Sequence, residues 1–189
     1  MGKLIAGINM TLDGFCDHTY GIADDELHWH YSELLRNAGT VLYGRITYQL
    51  MEYWRPIVKT PTGNRTIDEF AELMDGVPKI VFSRMLKKVD WESARVATRS
   101  FEDEALALKQ RSDKDILVGS PSLIAAAREL NLVDEYQLCV HPIIAGKGIR
   151  LFNNIGDTTS LKLVKTKTFG SGAIVLYYET AKGMAEQAS

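Results

Sequence analysis

The chain lacks the features that define several common classes of protein. Its 189 residues include only two cysteines, Cys16 and Cys139, which are too few for a disulfide scaffold and fit a reducing cytosol. No apolar run reaches the ~20 residues that a membrane-spanning helix needs. A strand pattern starts at Lys3, so we expect no cleaved signal peptide. These absences predict a cytoplasmic protein that has no membrane partner.

The chain also lacks an excess of charge of either sign. It has 22 Lys and Arg against 24 Asp and Glu, a net charge of -2, which predicts no nucleic-acid partner. Hydrophobic residues at 46% and charged residues at 24% are ordinary globular values and argue against disorder. No repeat, low-complexity tract or linker divides the sequence. We therefore predict one domain over residues 1–180 and a flexible, polar tail at 181–189.

Motifs of several enzyme classes are missing as well. No strand pattern leads into Gly-x-Gly-x-x-Gly, and the sequence has no Walker loop, Gly-x-Ser-x-Gly elbow or zinc-deaminase signature. His28 and His30 lie two apart on a predicted helix and so face different directions. Cys139 and His141 share one face of a predicted strand but lack two further ligands. The sequence therefore predicts no metal site.

The strongest positive signal is a strand, a glycine turn and a helix start. The branched apolar run at 116–118 predicts a strand that is buried on both faces, as in a parallel sheet. Gly119 allows a sharp turn and the close approach of a ligand. Ser120 and Pro121 suit the N-cap and first position of a helix. Free N–H groups and the helix dipole would converge there on an anion, although ordinary capping of the turn explains the same residues.

A second turn of this kind follows the strand predicted at 40–43. Gly44 begins it, a helix start follows, and Arg45 offers a guanidinium group that could contact phosphate.

Strand and helix patterns alternate along the rest of the chain. The segment at 54–64 is rich in Pro, Gly and Thr and is predicted to be an exposed loop. Residues 161–169 and 173–178 alternate around a glycine turn, which predicts a C-terminal hairpin. The other predicted strands are 3–9, 78–82, 94–97 and 133–142, and the predicted helices are 24–37, 66–74, 101–110 and 121–130.

Four spaced motifs follow the 121–130 helix. They are Leu-Val-Asp-Glu at 132–135, Pro-Ile-Ile at 142–144, Gly-Lys-Gly at 146–148 and Leu-Phe at 151–152. In this order they resemble the reductase domain of the bifunctional riboflavin-pathway deaminase–reductases and its stand-alone relatives in the dihydrofolate-reductase-like superfamily. The resemblance implies an α/β fold of the three-layer dihydrofolate-reductase type, in which helices flank a mixed, mostly parallel sheet that a C-terminal β-hairpin closes. Relatives of this kind commonly pair, so we also expect a homodimer.

The resemblance extends to residues expected to bind NADPH. Gly44-Arg45-Ile46-Thr47 is similar to the Gly-Arg-x-Thr that dihydrofolate reductases use against the NADPH diphosphate. Ser83 and Arg84 follow the 78–82 strand, where such enzymes hold the adenosine 2′-phosphate, and a cation there favours NADP over NAD. The cofactor-binding residues implied are Gly44, Arg45, Thr47, Ser83, Arg84, Gly119, Ser120 and Ser122.

The resemblance also suggests residues on the substrate side. The Thr-Leu-Asp-Gly turn that contains Asp13 resembles the Ser-Leu-Asp-Gly of the riboflavin enzymes, and Glu26-Leu27-His28-Trp29 resembles the Asp-Leu-x-Trp of dihydrofolate reductases. We expect Asn9, Asp13 and Glu26 to face the substrate, with Asp13 and Glu26 as candidates for catalytic proton delivery. Turn formation and the helix dipole are the ordinary explanations for these two acids.

The function implied is NADPH-dependent hydride transfer to a small heterocyclic substrate, with the protein supplying placement, a dry pocket and a proton source. The sequence departs from the riboflavin enzymes, because it reads Arg-Ile-Thr-Tyr after Gly44 where they have Gly-x-x-Thr-x-x-x-Asp-x-Pro after the corresponding strand. Three alternatives therefore stay open. They are a pyrimidine similar to 5-amino-6-(5-phosphoribosylamino)uracil, a folate or pterin, and a nucleotide-binding module without turnover.

Overall fold

The structure is a computed structural model that describes residues 2–111, 113–153 and 155–181. Within these residues an eight-stranded sheet is flanked by helices. The strands are β1 (Leu4–Thr11), β2 (Ala38–Gly44), β3 (Lys79–Phe82), β4 (Ala94–Val96), β5 (Asp115–Val118), β6 (Glu135–His141), β7 (Leu161–Thr168) and β8 (Ile174–Thr180). The α-helices are α1 (Asp25–Asn37), α2 (Arg45–Met51), α3 (Arg55–Lys59), α4 (Arg65–Gly76), α5 (Phe101–Arg111) and α6 (Pro121–Glu129).

The sheet is mixed and mostly parallel, as predicted. Its strand order is β4-β3-β2-β5-β1-β6-β8-β7, in which the first six strands run parallel and the β7–β8 hairpin is antiparallel. The carboxyl ends of β1, β2, β3, β5 and β6 therefore lie at one edge, which we call the carboxyl edge. The register pairs Gly44 with Phe82 and Thr11 with His141. The turns that carry most of the predicted site residues are thus neighbours at this edge.

Both faces of the central strands are buried, which explains their continuous apolar runs. Ile116 and Val118 belong to a core cluster that includes Ile124 of α6 and Ala105 of α5. Leu117, between them, packs in a second cluster with residues of α1 and α4 on the opposite face. This alternation follows from the two-residue period of a strand and produces the three-layer arrangement.

Helix α1 begins directly after an aspartate that caps it. The side chain of Asp24 accepts a hydrogen bond from the N–H of Leu27 at 2.8 Å, which caps α1. Leu27 and Leu35 are buried, and α1 packs against α4. None of the helices in the described part of the chain is both long enough and apolar enough to span a membrane.

The predicted loop at 54–64 is wrong over its first part. Residues Glu52–Trp54 form a 3₁₀ turn, and α3 follows at Arg55–Lys59. Pro56 lies in the first turn of α3, where its missing N–H costs no helical hydrogen bond. The prediction treated this proline only as a loop residue. The tail predicted at 181–189 lies, apart from Ala181, outside the described residues.

Candidate active site

The two predicted glycine turns meet at the carboxyl edge because β2 and β5 are neighbours. The N–H of Gly44 donates to the side-chain oxygen of Ser120 at 2.8 Å, and Ser120 is buried. The Ser120 hydroxyl accepts this bond and makes no capping bond to α6, whose first turn has no side-chain cap. The first N–H groups of α6 have no intrahelical partner either. The junction therefore suits an acceptor from outside the chain.

Gly44 also leaves a small gap at this junction. A Cβ atom on Gly44 would lie 3.6 Å from the hydroxyl oxygens of both Ser120 and Ser122. The structure thus brings together three of the predicted cofactor residues, one from the β2 turn and two from the β5 turn.

Gly119 packs closely against a neighbouring aromatic side chain, in addition to the ligand approach that stays a prediction. Its φ is not positive, so the turn itself does not demand glycine. A Cβ atom there would lie 3.2 Å from the ring of Tyr43 and 3.8 Å from the carbonyl oxygen of Gly7. Close packing against Tyr43 therefore keeps this position small, at a point where Gly119 also lines a cavity.

The other predicted cofactor residues flank the same edge. Arg45 is half-buried and donates to Gln49 at 3.1 Å, while Thr47 lines the cavity. Ser83 accepts from the N–H groups of Met85 and Leu86 and so forms the turn after β3. Arg84 is exposed beside it. Since Gly44 pairs with Phe82, Ser83 and Arg84 follow directly beside the Gly44 turn.

A cavity of about 340 Å³ opens at the carboxyl edge, between the sheet and helices α1, α2 and α4. Its walls are mostly apolar and aromatic. The side chains of these walls include Leu27, Leu34, Leu50, Met51, Trp54, Phe70 and Met74. Its polar lining side chains include Asn9, Asp17, His18, His28, Tyr31 and Thr47. Of the residues predicted to face the substrate, Asn9 alone is among those lining this cavity.

A hydrogen-bond network orients the Asn9 side chain. Its carboxamide oxygen accepts from the hydroxyl of Tyr31 at 3.0 Å and lies 3.1 Å from Nε2 of His141. The N–H of Ile22 donates to Nδ1 of His141 at 3.2 Å, which places the ring proton on Nε2. Burial lowers the pKa of His141 more than the nearby Asp24 carboxylate raises it. With its oxygen held by two donors, Asn9 presents its NH₂ group for a partner in the cavity.

His28 lines the cavity, although nothing in the sequence indicated that its side chain would face a substrate. Its ring lies 5.7 Å from that of Trp54 and 5.9 Å from that of Phe70, measured between centroids. Its Nδ1 atom is buried, and no described residue forms a hydrogen bond with it. A buried polar atom of this kind normally has a partner.

The structure places neither predicted proton donor on the cavity. The Asp13 carboxylate accepts from the Thr11 hydroxyl at 2.6 Å, from the N–H of Ala145 at 3.0 Å and from the N–H of Gly146 at 2.7 Å. These bonds, led by that of Thr11, lower the pKa of Asp13 from 3.8 to about 2. The exposed Glu26 accepts from the N–H of Gly170 in the β7–β8 turn. The proton-donor assignment stays a prediction, and the geometry gives both acids structural partners instead.

The helical period explains why Glu26 points elsewhere. Successive residues of α1 are about 100° apart around its axis. Leu27, His28 and Tyr31 face the cavity, so Glu26 is turned away from it toward the hairpin.

The candidate metal ligands do not assemble into a larger group. Cys139 Sγ and His141 Nε2 are 3.8 Å apart, in line with their predicted shared face. In the part of the chain that the structure describes, no three His, Cys, Asp or Glu side chains are arranged to hold a metal ion.

Comparison with known proteins places these features in a family. Residues 2–175 match the RibD C-terminal domain, and the chain belongs to that family. The uncharacterized protein YyaP of Bacillus subtilis (strain 168) is 33% identical over 182 residues, which cover 93% of this chain and 94% of YyaP.

Solved structures show the same fold. The riboflavin biosynthesis reductase Rib7 of Saccharomyces cerevisiae matches with a TM-score of 0.62 and 13% identity, over 95% of this chain and 90% of Rib7. Dihydrofolate reductase from Enterococcus faecalis, complexed with NADP(H), matches with a TM-score of 0.64 and 14% identity, over 95% of this chain and 97% of that enzyme. The fold is therefore dihydrofolate-reductase-like, as the sequence predicts.

Proposed function

We propose that the protein is an NADPH-dependent reductase that transfers a hydride to a small heterocyclic substrate. The observation that carries this proposal is the junction of two glycine turns beside a cavity with mostly apolar walls. The Gly44 N–H bond to Ser120 fixes that junction, and Thr47 and Gly119 line the cavity next to it.

The residues at the junction fit the diphosphate of a dinucleotide. The gap at Gly44 gives an acceptor access to backbone N–H groups, and the uncapped first turn of α6 offers more of them. The hydroxyls of Thr47, Ser120 and Ser122 could donate to phosphate oxygens, and the Arg45 guanidinium would supply positive charge. When bound, the nicotinamide would supply the hydride.

Arg84 supports the preference for NADPH over NADH. It is an exposed cation one residue beyond Ser83, and the β2–β3 register puts it beside the Gly44 turn. A guanidinium there can pair with the 2′-phosphate that distinguishes the two cofactors.

The cavity would exclude water and orient the substrate. Asn9 offers an NH₂ group whose orientation is fixed by the hydrogen bonds of its oxygen. Burial raises the pKa of Tyr31 well above its ordinary value, so this hydroxyl keeps its proton. Delivery of the proton by Asp13 or Glu26 would require either acid to leave its present backbone partners.

Fluorescence titration provides the first test, because Trp54 lines the cavity and reports on its contents. NADPH should bind more tightly than NADH, as measured by quenching of the tryptophan fluorescence. NADPH oxidation should then follow with either a ribosylaminouracil or a dihydropterin. Absence of binding by both nicotinamides would refute the function, and tight binding without oxidation of any pyrimidine or pterin would favour a nucleotide-binding module.

The expected homodimer remains a prediction that rests on the family resemblance. Light scattering of the purified protein would measure its mass against the 21.1 kDa of one chain.

A further inference from the structure

Along the described part of the chain, the side chains that line the cavity include the imidazoles of His18 and His28 but no permanently charged cation. Within the described part of the chain, none of the residues lining it is Lys or Arg. The partly exposed Asp17 also lines the cavity, and hydrogen bonds from the N–H and hydroxyl of Thr19 lower its pKa. Away from the turn that begins α6, an anionic group buried among these walls would lose its hydration and gain no Lys or Arg partner, which is the situation that phosphate sites avoid by supplying Arg or Lys.

The size and walls of the cavity suit a flat ring compound. Its volume of about 340 Å³ lies near the lower end for small-molecule sites. Trp54 and Phe70 form a T-shaped pair with centroids 4.6 Å apart, and Tyr31 lines the cavity with them. Aromatic walls of this kind bind planar rings by stacking and edge contacts.

His28 provides a polar group inside these apolar walls. Its buried Nδ1 has no partner among the described residues, and the ring lies beside the Trp54–Phe70 pair. Because Nδ1 has almost no accessible surface, the imidazole must turn toward the cavity for the polar edge of a bound ring to satisfy this atom, and its tautomer then sets whether it donates or accepts.

From these observations we infer that the substrate is a small planar heterocycle without phosphate or another strongly anionic group, and that His28 reads its polar edge. The inference rests on the proposed reductase function and narrows it. It predicts that the cavity binds a dephosphorylated ribosyl pyrimidine more tightly than the phosphoribosyl form. It likewise predicts tighter binding of a dihydropterin than of a folate that carries a glutamate tail.

Calorimetry on the full chain saturated with NADP⁺ tests the charge preference. Two matched pairs serve as probes: 5-amino-6-ribosylaminouracil with its 5′-phosphate, and 6-methyl-dihydropterin with dihydrofolate. The neutral member of at least one pair should bind at least about tenfold more tightly than its anionic partner, which corresponds to about 1.4 kcal/mol. Equal or tighter binding of the anionic member in both pairs, or no binding by either neutral ring, would overturn the inference.

The same comparison without cofactor separates this inference from the proposed function. If NADPH does not bind, the reductase function fails. The ring pairs titrated into cofactor-free protein would still decide whether the cavity prefers neutral rings.

A variant pair on α1 tests the role of His28. His28→Phe keeps an aromatic ring against Trp54 and Phe70 but removes the nitrogens. We expect the neutral ring to bind about tenfold more weakly, with no fall in melting temperature, because an unpartnered buried nitrogen is lost. His30→Phe makes the same change at a buried position that does not line the cavity, so binding should not change.

A third variant distinguishes the loss of a hydrogen bond from a loss of folding. His28→Asn restores a hydrogen-bonding group, and it should recover part of the binding that His28→Phe loses. Wild-type affinity in folded His28→Phe, or equal losses in His28→Phe and His30→Phe, would overturn the assignment.

Discussion

Replacing Gly44 with Ala adds one methyl group to the gap between the turns that follow β2 and β5. The backbone at Gly44 has φ -76° and ψ 164°, which any L-residue can adopt without strain. The new Cβ would lie 3.6 Å from the hydroxyl oxygens of Ser120 and Ser122, an ordinary contact distance. The apoprotein should therefore accept the change.

The substitution should stabilise the fold but weaken the binding of NADPH. Loss of glycine freedom in the unfolded chain should raise the free energy of unfolding by about 0.4–1 kcal/mol. For a chain of this size that is an increase in Tm of about 1–4 °C. The methyl group would keep a phosphate from the N–H groups at the junction, and one lost charge-assisted bond is worth about 1.5–3 kcal/mol. NADPH affinity should fall about tenfold to a hundredfold.

Thermal melting and NADPH titration on the same preparation measure both effects. Gly76→Ala is the matched control, because a Cβ on this exposed glycine at the end of α4 meets no atom within 4 Å. It should leave NADPH affinity unchanged. A Gly44→Ala protein that melts higher but binds NADPH like the wild type would refute the placement of the diphosphate, and a lowered Tm would refute the packing argument.

The remaining predictions concern three other residues. Arg84→Ala should weaken NADPH about tenfold, the lower end for a charged contact at an exposed site, and leave NADH unchanged; titration showing equal losses would exclude the 2′-phosphate contact. Gly119→Ala should push the ring of Tyr43 by a few tenths of an ångström, with a modest fall in Tm and a clear fall in NADPH affinity; a large fall in Tm with affinity retained would show a purely structural role. The Asp13 carboxylate, whose pKa is lowered, stabilises the fold above its unfolded pKa, so acid melting of the wild type should show a loss between about pH 4 and pH 2 that Asp13→Asn lacks. A hundredfold loss of turnover in Asp13→Asn without loss of stability would instead support the proton-donor assignment.

Much of the fold follows from local sequence signals. Leu117 lies between Ile116 and Val118 in a run that is typical of a strand buried on both faces, and the structure buries all three. The helix predicted at 121–130 is α6, which ends at Glu129, and Asn131 just beyond it has a positive φ of 53°. The error at α3 arose because Pro56 is compatible with both a loop and the first turn of a helix, and local composition does not distinguish them.

The site was harder to predict because it depends on contacts between distant segments. Asn9 was expected to face the substrate, but its orientation is set by His141, 132 residues away. The shared face of Cys139 and His141 was visible in the sequence, yet nothing local linked it to Asn9. His28 was missed because an unpartnered nitrogen becomes evident only when Trp54 and Phe70 are packed around it.

Asp13 and Glu26 show the limit of motif transfer. Both resemble catalytic residues of related enzymes. In the structure, however, their carboxylates accept hydrogen bonds from the N–H groups of Ala145, Gly146 and Gly170. Short motifs fix the order of residue types, but the partner that each side chain takes depends on loops far away in sequence.

A crystal structure of the protein with NADPH tests the central claim most directly. The account predicts phosphate oxygens within hydrogen-bond distance of the Gly44 turn and the first turn of α6, with the Arg84 guanidinium beside the 2′-phosphate. Phosphate oxygens bound away from both turns, with Gly44 and Ser120 contacting only each other, would contradict it.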